Sequence, residues 1–260
     1  MGRLREERKE KILGKTGITM AMDEDLLISS IPNIVDQHGK YFELVKLSGA
    51  FVLDYSLREN RNRIDAYKSM AGAPQIEVFC GGVTFETFGI TKIKEFIKLN
   101  KDLGLNVVEV SNGDLEISEK EKVEAIRLLK EKDFKVISEI GESKIKKNRT
   151  LLTEKDWLKA IELELKAGSK FVILQSGKEG RVGVFDENRK LKEGLIQEIS
   201  KNFDVKKIIF EAPHLEQQTC LINMFGANVN IGNIRMNYVA ALEHLRTGRR
   251  RDTFEPLSGK

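Results

Sequence analysis

Residues 135–174 read KVISEIGESKIKKNRTLLTEKDWLKAIELELKAGSKFVIL and contain the pattern that decides the fold. Two short β-branched runs, 135–140 and 170–174, flank a longer stretch of helical character. The stretch from Thr153 to Ala167 has an acidic first turn, which favours a helix N-terminus, and Gly168 follows it as a stop signal. This pattern predicts a strand, a helix and a second strand parallel to the first.

The same alternation continues along the whole chain. Predicted helices include 118–132, which opens with the capping box Ser118-x-x-Glu121, as well as 90–103 and 237–247. The predicted strands are Gly17–Met22, Phe42–Leu47, Ile76–Cys80, Asn106–Val110, Lys135–Ile140, Lys170–Leu174, Lys207–Glu211 and Ala227–Ile231. Eight such units predict a single (β/α)₈ barrel, a TIM barrel, because a closed parallel sheet leaves no edge strand exposed.

The length of 260 residues suits one barrel of this kind, which typically takes roughly 250 residues. A doubly wound open sheet is the alternative α/β fold. Its dinucleotide-binding form is disfavoured because no G-x-G-x-x-G follows the first predicted strand. We therefore predict an exposed N-terminal helix or arm over residues 1–14 and a barrel domain over residues 15–260.

Composition and charge limit the kinds of partner that this chain is expected to bind. The formal net charge is +4 and the charges are interspersed, so we expect no nucleic-acid binding. The N-terminus is too charged for a secretory signal and no apolar run reaches membrane-spanning length, so we expect no membrane association. Cys80 and Cys220 lie far apart and indicate neither a disulfide framework nor metal spacing. We expect the protein to be cytoplasmic and to form a homo-oligomer.

Catalytic groups of such barrels lie at the C-terminal ends of the strands. Glu109, Glu139 and Glu211 stand within or at the end of otherwise apolar predicted strands. A buried carboxylate is costly unless it is paired or binds a metal. Oxygen ligands of this type suit Mg²⁺. The alternative is an ion pair with a barrel lysine such as Lys46, and both interpretations stay open.

Further candidates for substrate binding follow the same logic. Lys46 ends an apolar run, where a lysine can hold an anionic substrate, take part in acid–base chemistry or simply form an ion pair. Gly81 and Gly82 can expose N–H groups to an oxyanion, or form only a tight turn. The glycine-rich loop 175–183 carries Lys178 and Arg181, as a phosphate-binding or lid loop does. The remaining candidates at strand ends are Ser111, Asn112 and Asn230.

Several ordered segments resemble one known family. They are Leu44-Val45-Lys46, Gly81-Gly82-Val83-Thr84-Phe85-Glu86, Val108-Glu109-Val110-Ser111-Asn112-Gly113, Ser138-Glu139-Ile140-Gly141, Ile209-Phe210-Glu211-Ala212-Pro213, Asn228–Ile234, Leu242–Arg246 and Asp252-Thr253-Phe254. On these residues the chain resembles the phosphosulfolactate synthase family from about Gly17 to Phe254. The matching segments coincide with the strand ends singled out above.

The resemblance implies a TIM-barrel lyase that adds sulfite to phosphoenolpyruvate with Mg²⁺ and forms (2R)-phospho-3-sulfolactate. In methanogens this reaction is a step toward coenzyme M. It implies that Glu139 and Glu211 hold Mg²⁺, with Glu109 as a further candidate, and that Lys46 holds phosphate or carboxylate. A family lysine follows the glycine matching Gly141 by two residues. Lys144, one residue later, is its counterpart here and the candidate general acid.

Two segments depart from the family pattern. Leu47-Ser48-Gly49-Ala50-Phe51 replaces an aromatic, glycine-rich run, and Leu174-Gln175-Ser176-Gly177 lacks a glutamate and an arginine. Arg181 or Lys178 is the candidate replacement for that arginine. The departures leave an alternative open, namely a non-catalytic or altered-substrate family member that acts in stress protection through protein contacts.

Overall fold

The fold is described from a computed structural model, which describes residues 3–9, 17–68, 76–113, 117–141 and 152–254. Its eight strands are short and almost entirely buried. They are β1 (Thr19–Asp23), β2 (Leu44–Leu47), β3 (Glu77–Cys80), β4 (Val107–Ser111), β5 (Lys135–Ile140), β6 (Phe171–Leu174), β7 (Ile208–Glu211) and β8 (Ile231–Arg235).

All strand pairs in the sheet are parallel, and the order is β3-β2-β1-β8-β7-β6-β5-β4. Since β1 pairs with both β2 and β8, the first and last strands meet. The two ends of this order, β3 and β4, lie side by side and nearly close the cylinder. The predicted (β/α)₈ barrel is confirmed, and the open doubly wound sheet is excluded.

Helices surround the strands. They are α1 (Arg3–Lys9), α2 (Ile31–His38), α3 (Gly49–Asp54), α4 (Leu57–Lys68), α5 (Gly82–Phe88), α6 (Ile93–Asp102), α7 (Glu119–Glu131), α8 (Glu154–Ala167), α9 (Glu193–Asn202), α10 (Leu215–Phe225) and α11 (Val239–Arg246). Short 3₁₀ turns cover Ile28–Ser30, Gly39–Tyr41, Val205–Lys207, Met236–Tyr238 and Arg251–Thr253. Among the described residues no helix combines the length and apolarity needed to cross a membrane.

The residues that the sequence predicts at the ends of helices α7 and α8 are found there in the structure. Ser118 caps α7 by accepting a hydrogen bond from the backbone N–H of Glu121, whose side chain returns to Ser118. Thr153 and Asp156 form the same reciprocal arrangement at the start of α8. Gly168 ends α8 in the left-handed region with φ of 118°, which a glycine adopts without steric cost.

Side chains of each strand alternate between two apolar layers. In β7, Ile209 faces the interior of the cylinder, whereas Ile208 and Phe210 pack outward against the helices. The interior layer is formed by Ile18, Met20, Leu44, Phe79, Val107, Ile137, Phe171, Ile173 and Ile209. The barrel centre is therefore a packed core, and ligands can approach only at its two mouths.

Two boundary predictions need correction. Strand β8 begins at Ile231, where the predicted strand ends. Residues 227–231 alternate between apolar and polar side chains, as a strand does, but pairing with β1 and β7 starts only at Ile231. At the N-terminus residues 3–9 form helix α1, as the helix alternative predicted, but this helix does not stand free of the barrel. Leu4 is 2% exposed, and Arg8 donates hydrogen bonds to Glu243 of α11 and to the Gly17 carbonyl oxygen. Helix α1 is therefore docked on the barrel.

Candidate active site

Four charged side chains from four strands meet inside the C-terminal mouth of the barrel. The Lys46 Nζ atom lies 2.8 Å from Glu139 Oε2, 3.0 Å from Glu109 Oε2 and 3.6 Å from Glu211 Oε1. All four side chains are buried. We call Lys46, Glu109, Glu139 and Glu211 the carboxylate cluster.

Strand periodicity explains why these side chains converge. Each lies two residues after an interior apolar residue of its own strand, and side chains two residues apart share a face. The apolar partners, in the same order, are Leu44, Val107, Ile137 and Ile209. Lys46, Glu109, Glu139 and Glu211 therefore form the polar layer directly above the packed centre of the barrel.

Burial and mutual charge shift the pKa values of the cluster in opposite directions. Burial opposes the charge of Lys46, but the three surrounding glutamates outweigh it and raise its pKa well above the usual value. Burial also disfavours the charged form of Glu139, yet Lys46 holds the pKa of Glu139 below its ordinary value. Lys46 and Glu139 thus form a charged pair at neutral pH.

The other two carboxyl groups retain protons more readily. Burial raises the pKa of Glu109 to about 8 against the opposing charge of Lys46. Burial and the negative charge of Glu139 raise the pKa of Glu211 to about 7. Near neutral pH the carboxylate cluster is therefore close to net neutral, and it becomes an anionic site when these protons leave.

Glu139 and Glu211 are close neighbours, since both lie within 3.6 Å of Lys46 Nζ, and hydrogen bonding from Glu211 helps to lower the pKa of Glu139. Two carboxyl groups in contact must share a proton or a cation. Among the described residues, no group of three or more acidic, histidine or cysteine side chains is arranged as a metal cluster. Mg²⁺ commonly uses only one or two protein carboxylates together with water and substrate, so this pair of oxygen donors fits Mg²⁺.

A second layer of polar groups surrounds the cluster. Ser111 Oγ donates a 2.5 Å hydrogen bond to Glu86 Oε1, which also accepts one from the Gly113 N–H group. Asn112 Oδ1 accepts from Lys122 Nζ at 3.2 Å. Ser111 and Asn112 therefore lie at the predicted mouth. Glu86 ends the family-matching segment 81–86 but was not among the candidate site residues.

Lys122 was not identified from the sequence. It is 3% exposed in the first turn of α7 and forms an ion pair with Glu164 of α8 at 2.7 Å. Its ammonium group also donates to the backbone carbonyl oxygen of Glu139 at 2.6 Å. Only the packing of α7 and α8 on β5 shows that this lysine supports the site.

The loop after β6 contacts the cluster through two residues. The Ser176 N–H group donates to Glu211 Oε2 at 3.0 Å. Gln175 Nε2 lies 3.4 Å from Glu139 Oε1, and its buried Oε1 atom has no hydrogen-bond partner among the described residues. Gly141 leaves the space that the Gln175 side chain fills. The segment that departs from the family pattern therefore forms part of the site wall.

Two candidate residues need correction. Asn230 lies at the opposite mouth, before β8, where its carboxamide binds the backbone of Ile18, Lys206 and Ile208. The Gly81 N–H group donates to the Leu47 carbonyl oxygen and so does not face an oxyanion. Gly82 lies beside the cluster, because a Cβ atom on it would be 2.7 Å from Glu109 Oε1, and binding of an oxyanion by its N–H group stays a prediction.

The remaining basic candidates lie outside the cluster. Lys178 is exposed and pairs with Glu24 at 3.0 Å. Arg181 is exposed in the same loop. Lys144 falls outside the described residues. The structure therefore brings together Lys46, Glu109, Glu139, Glu211, Ser111 and Asn112.

A (β/α)₈ barrel with a buried lysine–carboxylate cluster at the C-terminal mouth of its strands defines a β/α-barrel enzyme. The family model described as (2R)-phospho-3-sulfolactate synthase (ComA) matches residues 6–252. The chain belongs to this family, which confirms the resemblance seen in its motifs, and it is a lyase-type enzyme.

Similar proteins from archaea and bacteria match over nearly the whole chain. The phosphosulfolactate synthase of Methanocaldococcus jannaschii is 34% identical over 240 residues, which cover 92% of this chain and 94% of the relative. The phosphosulfolactate synthase of Bacillus subtilis is 29% identical over 243 residues and covers 92% and 93%.

Solved structures share the fold. The YdjI aldolase of Escherichia coli aligns with a TM-score of 0.59 at 9% identity and covers 98% of this chain and 95% of the aldolase. The 3-hexulose-6-phosphate synthase of Salmonella typhimurium aligns with a TM-score of 0.57 at 16% identity and covers 91% and 96%. At these identities the likeness concerns the barrel architecture alone.

Proposed function

We propose that this enzyme adds sulfite to phosphoenolpyruvate in the presence of Mg²⁺ and forms (2R)-phospho-3-sulfolactate. The observation that carries the proposal is the convergence of Glu139 and Glu211, which come from separate strands and both lie within 3.6 Å of Lys46 Nζ at one mouth of the barrel. Membership of a family whose relatives bear the name phosphosulfolactate synthase supports the choice of substrate.

In the proposed reaction the sulfur atom of sulfite bonds to the terminal carbon of phosphoenolpyruvate. The electron pair of the carbon–carbon double bond moves toward the substrate carboxylate, and a proton then adds to the adjacent carbon. Bound Mg²⁺, held by Glu139 and Glu211 with Glu109 as a further candidate, would stabilise negative charge on the substrate carboxylate. These steps conserve atoms and charge without a redox partner.

The residues of the chain have distinct proposed roles. Lys46 keeps its proton because three glutamates surround it, so we assign it to charge stabilisation and anion binding rather than to proton donation. Lys144 is the proposed general acid. Ser111 and Asn112 lie beside the cluster and are proposed to orient the substrate.

Loss of phosphoenolpyruvate and appearance of the sulfonated product, measured with sulfite and Mg²⁺, test the proposal. We expect Glu139→Gln to lower kcat/KM by roughly 10²–10³-fold because charge stabilisation at the reacting centre is lost. Glu119→Gln is the matched control, since Glu119 is an exposed carboxylate paired with Lys159. Chelation of Mg²⁺ should abolish turnover and its addition should restore it.

The same assay can also give results that contradict the proposed metal site or the proposed reaction. Full activity in Glu139→Gln, or in chelator, would contradict the proposed metal site. Binding of phosphoenolpyruvate without sulfite addition would contradict the reaction and favour the altered-substrate alternative.

A further inference from the structure

A second polar pocket opens beside the carboxylate cluster, between the C-terminal ends of β1, β7 and β8 and the loop after β6. Its walls combine apolar side chains with both signs of charge. The lining residues are Met22, Glu24, Lys178, Pro213, Asn233 and Arg235. Arg235 was not a candidate binding residue from the sequence.

The pocket carries an excess of positive charge. Lys178 Nζ lies 3.0 Å from Glu24 Oε1, and Arg235 Nε lies 3.5 Å from Glu24 Oε2, so one carboxylate faces two cations. The Lys178 and Arg235 side chains are 67% and 58% exposed. Ion pairs as exposed as these contribute only about 0–1 kcal/mol, so both cations can exchange Glu24 for a stronger anion at little cost.

The pocket lies within reach of the carboxylate cluster. Met22 is in register with Lys46 of β2 on one side and with Arg235 of β8 on the other. Adjacent strands are about 4.8 Å apart, which puts the backbones at Lys46 and Arg235 roughly 10 Å from each other. The loop after β6 also connects the two sites, since Ser176 binds Glu211 and Lys178 follows two residues later.

Asn233 marks the pocket as a built feature of the barrel. It adopts φ of 60°, a left-handed conformation that non-glycine residues seldom occupy, and it is 9% exposed. Such conformations concentrate at ligand sites. Loops after strands seven and eight of β/α barrels frequently bind phosphate, and the pocket lies at this place, because Pro213 follows β7 and Arg235 ends β8.

We infer that this pocket binds the phosphoryl group of the substrate, with Lys178 and Arg235 exchanging Glu24 for phosphate oxygens and Asn233 completing the wall. Arg235 supplies a planar guanidinium suited to phosphate, and Glu24 holds both cations in place until the anion arrives. The inference rests on the proposed function, which supplies a phosphorylated three-carbon acid that spans from this pocket to the cluster.

Calorimetric titration of the full chain with phosphoenolpyruvate, pyruvate and inorganic phosphate tests the inference. We expect Arg235→Gln and Lys178→Gln each to weaken phosphoenolpyruvate and phosphate binding about 10-fold or more while leaving pyruvate binding unchanged. Glu24→Gln should tighten phosphate binding, because a competing carboxylate is removed. Arg189→Gln is the control, since Arg189 forms a comparable exposed pair with Glu179 at 3.5 Å.

The results separate this inference from the proposed reaction. Phosphoenolpyruvate affinity within twofold of the unchanged protein in Arg235→Gln, or no phosphate binding by the unchanged protein, overturns the pocket assignment. Sulfite addition with an unchanged KM in Arg235→Gln rejects the pocket and retains the reaction. Arg235-dependent binding of phosphoenolpyruvate without sulfite addition supports the pocket and rejects the reaction.

Discussion

The two mouths of the barrel both contain buried charges, but they neutralise them differently. At the N-terminal mouth the fully buried Arg246 donates from Nη1 to the carbonyl oxygens of Ala227 and Val229 and from Nη2 to that of Ile18. Burial lowers the pKa of Arg246 to about 9, so it still carries its charge at neutral pH. The backbone itself holds this charge in a fixed place.

At the C-terminal mouth the charges are balanced mainly by one another. Lys46 faces three glutamates, and its ammonium group is the ion-pair partner of Glu109, 3.0 Å from Glu109 Oε2. The buried Gln175 Oε1 atom lacks a hydrogen-bond partner within the described chain. Groups with shifted pKa values and unused bonding capacity are typical of functional sites. The comparison teaches that backbone carbonyl groups hold the charge at one mouth, whereas side chains that titrate near neutral pH hold one another at the other, which favours the C-terminal mouth as the reactive one.

The largest expected effect tests the N-terminal mouth. Arg246→Met should reduce the free energy of unfolding by about 3–5 kcal/mol, since three buried carbonyl oxygens lose a donor at about 1–3 kcal/mol each before relaxation. Urea unfolding measures this loss. The folded fraction should keep its kcat, and a selective loss of kcat would break the division between the mouths. Arg189→Met serves as an exposed control.

A substitution with a smaller expected effect on stability tests whether Lys122 supports the site or only stabilises the fold. Replacing the buried pair Lys122–Glu164 by Met and Leu removes both charges together, so unfolding should change by only about 1 kcal/mol. Catalytic efficiency should fall roughly 10–100-fold because Glu139 and Asn112 lose the ammonium group that positions them. Steady-state kinetics and urea unfolding on the same preparation give both quantities. Unchanged kinetics would make Lys122 purely structural.

The smallest expected effect is on the pH dependence of the free energy of unfolding. The folded pKa values of Glu109 and Glu211, about 8 and about 7, exceed the ordinary carboxyl value, so the folded chain binds protons that the unfolded chain releases. Their contribution to stability is complete below about pH 4.5 and is lost as pH rises through about 8. In Glu109→Gln the free energy of unfolding should therefore fall less as pH rises, by on the order of 1 kcal/mol.

Urea unfolding of the unchanged protein and of Glu109→Gln at pH 5.5 and pH 8.5 checks this sign. Glu119→Gln, an exposed carboxylate, should leave the pH dependence unaltered. A Glu109→Gln variant that loses stability more steeply than the unchanged protein would contradict the shifted carboxyl groups at the reactive mouth.

Much of the fold was predictable because its signals are local. The run Lys135–Ile140 forms β5 with the predicted bounds, and the capping residues Ser118 and Thr153 start α7 and α8. The wrong bounds predicted for β8 also have a physical cause. Residues 227–231 alternate as a strand does, whereas Gly232 and Asn233 interrupt the pattern, and only pairing with β1 and β7 selects Ile231–Arg235.

The site was predictable only where strand ends identify it. Glu109, Glu139, Glu211 and Lys46 stand out because each interrupts an apolar strand pattern. Lys122 and Arg235 carry no such signal, since charged residues on a helix or at a strand end are ordinarily solvated. Docking of α1 likewise depends on Arg8 and Glu243, residues too distant in the sequence for any local pattern to connect.

The sequence by itself determined the barrel, the strands that carry acidic groups and the family, because periodicity and motifs are properties of neighbouring residues. Only the tertiary structure decided that Lys46 pairs with all three glutamates, that Asn230 and Arg246 stabilise the opposite mouth, and that Lys178 and Arg235 share Glu24. Coulomb attraction and desolvation depend on distance in space and on burial, which strand register and barrel closure set.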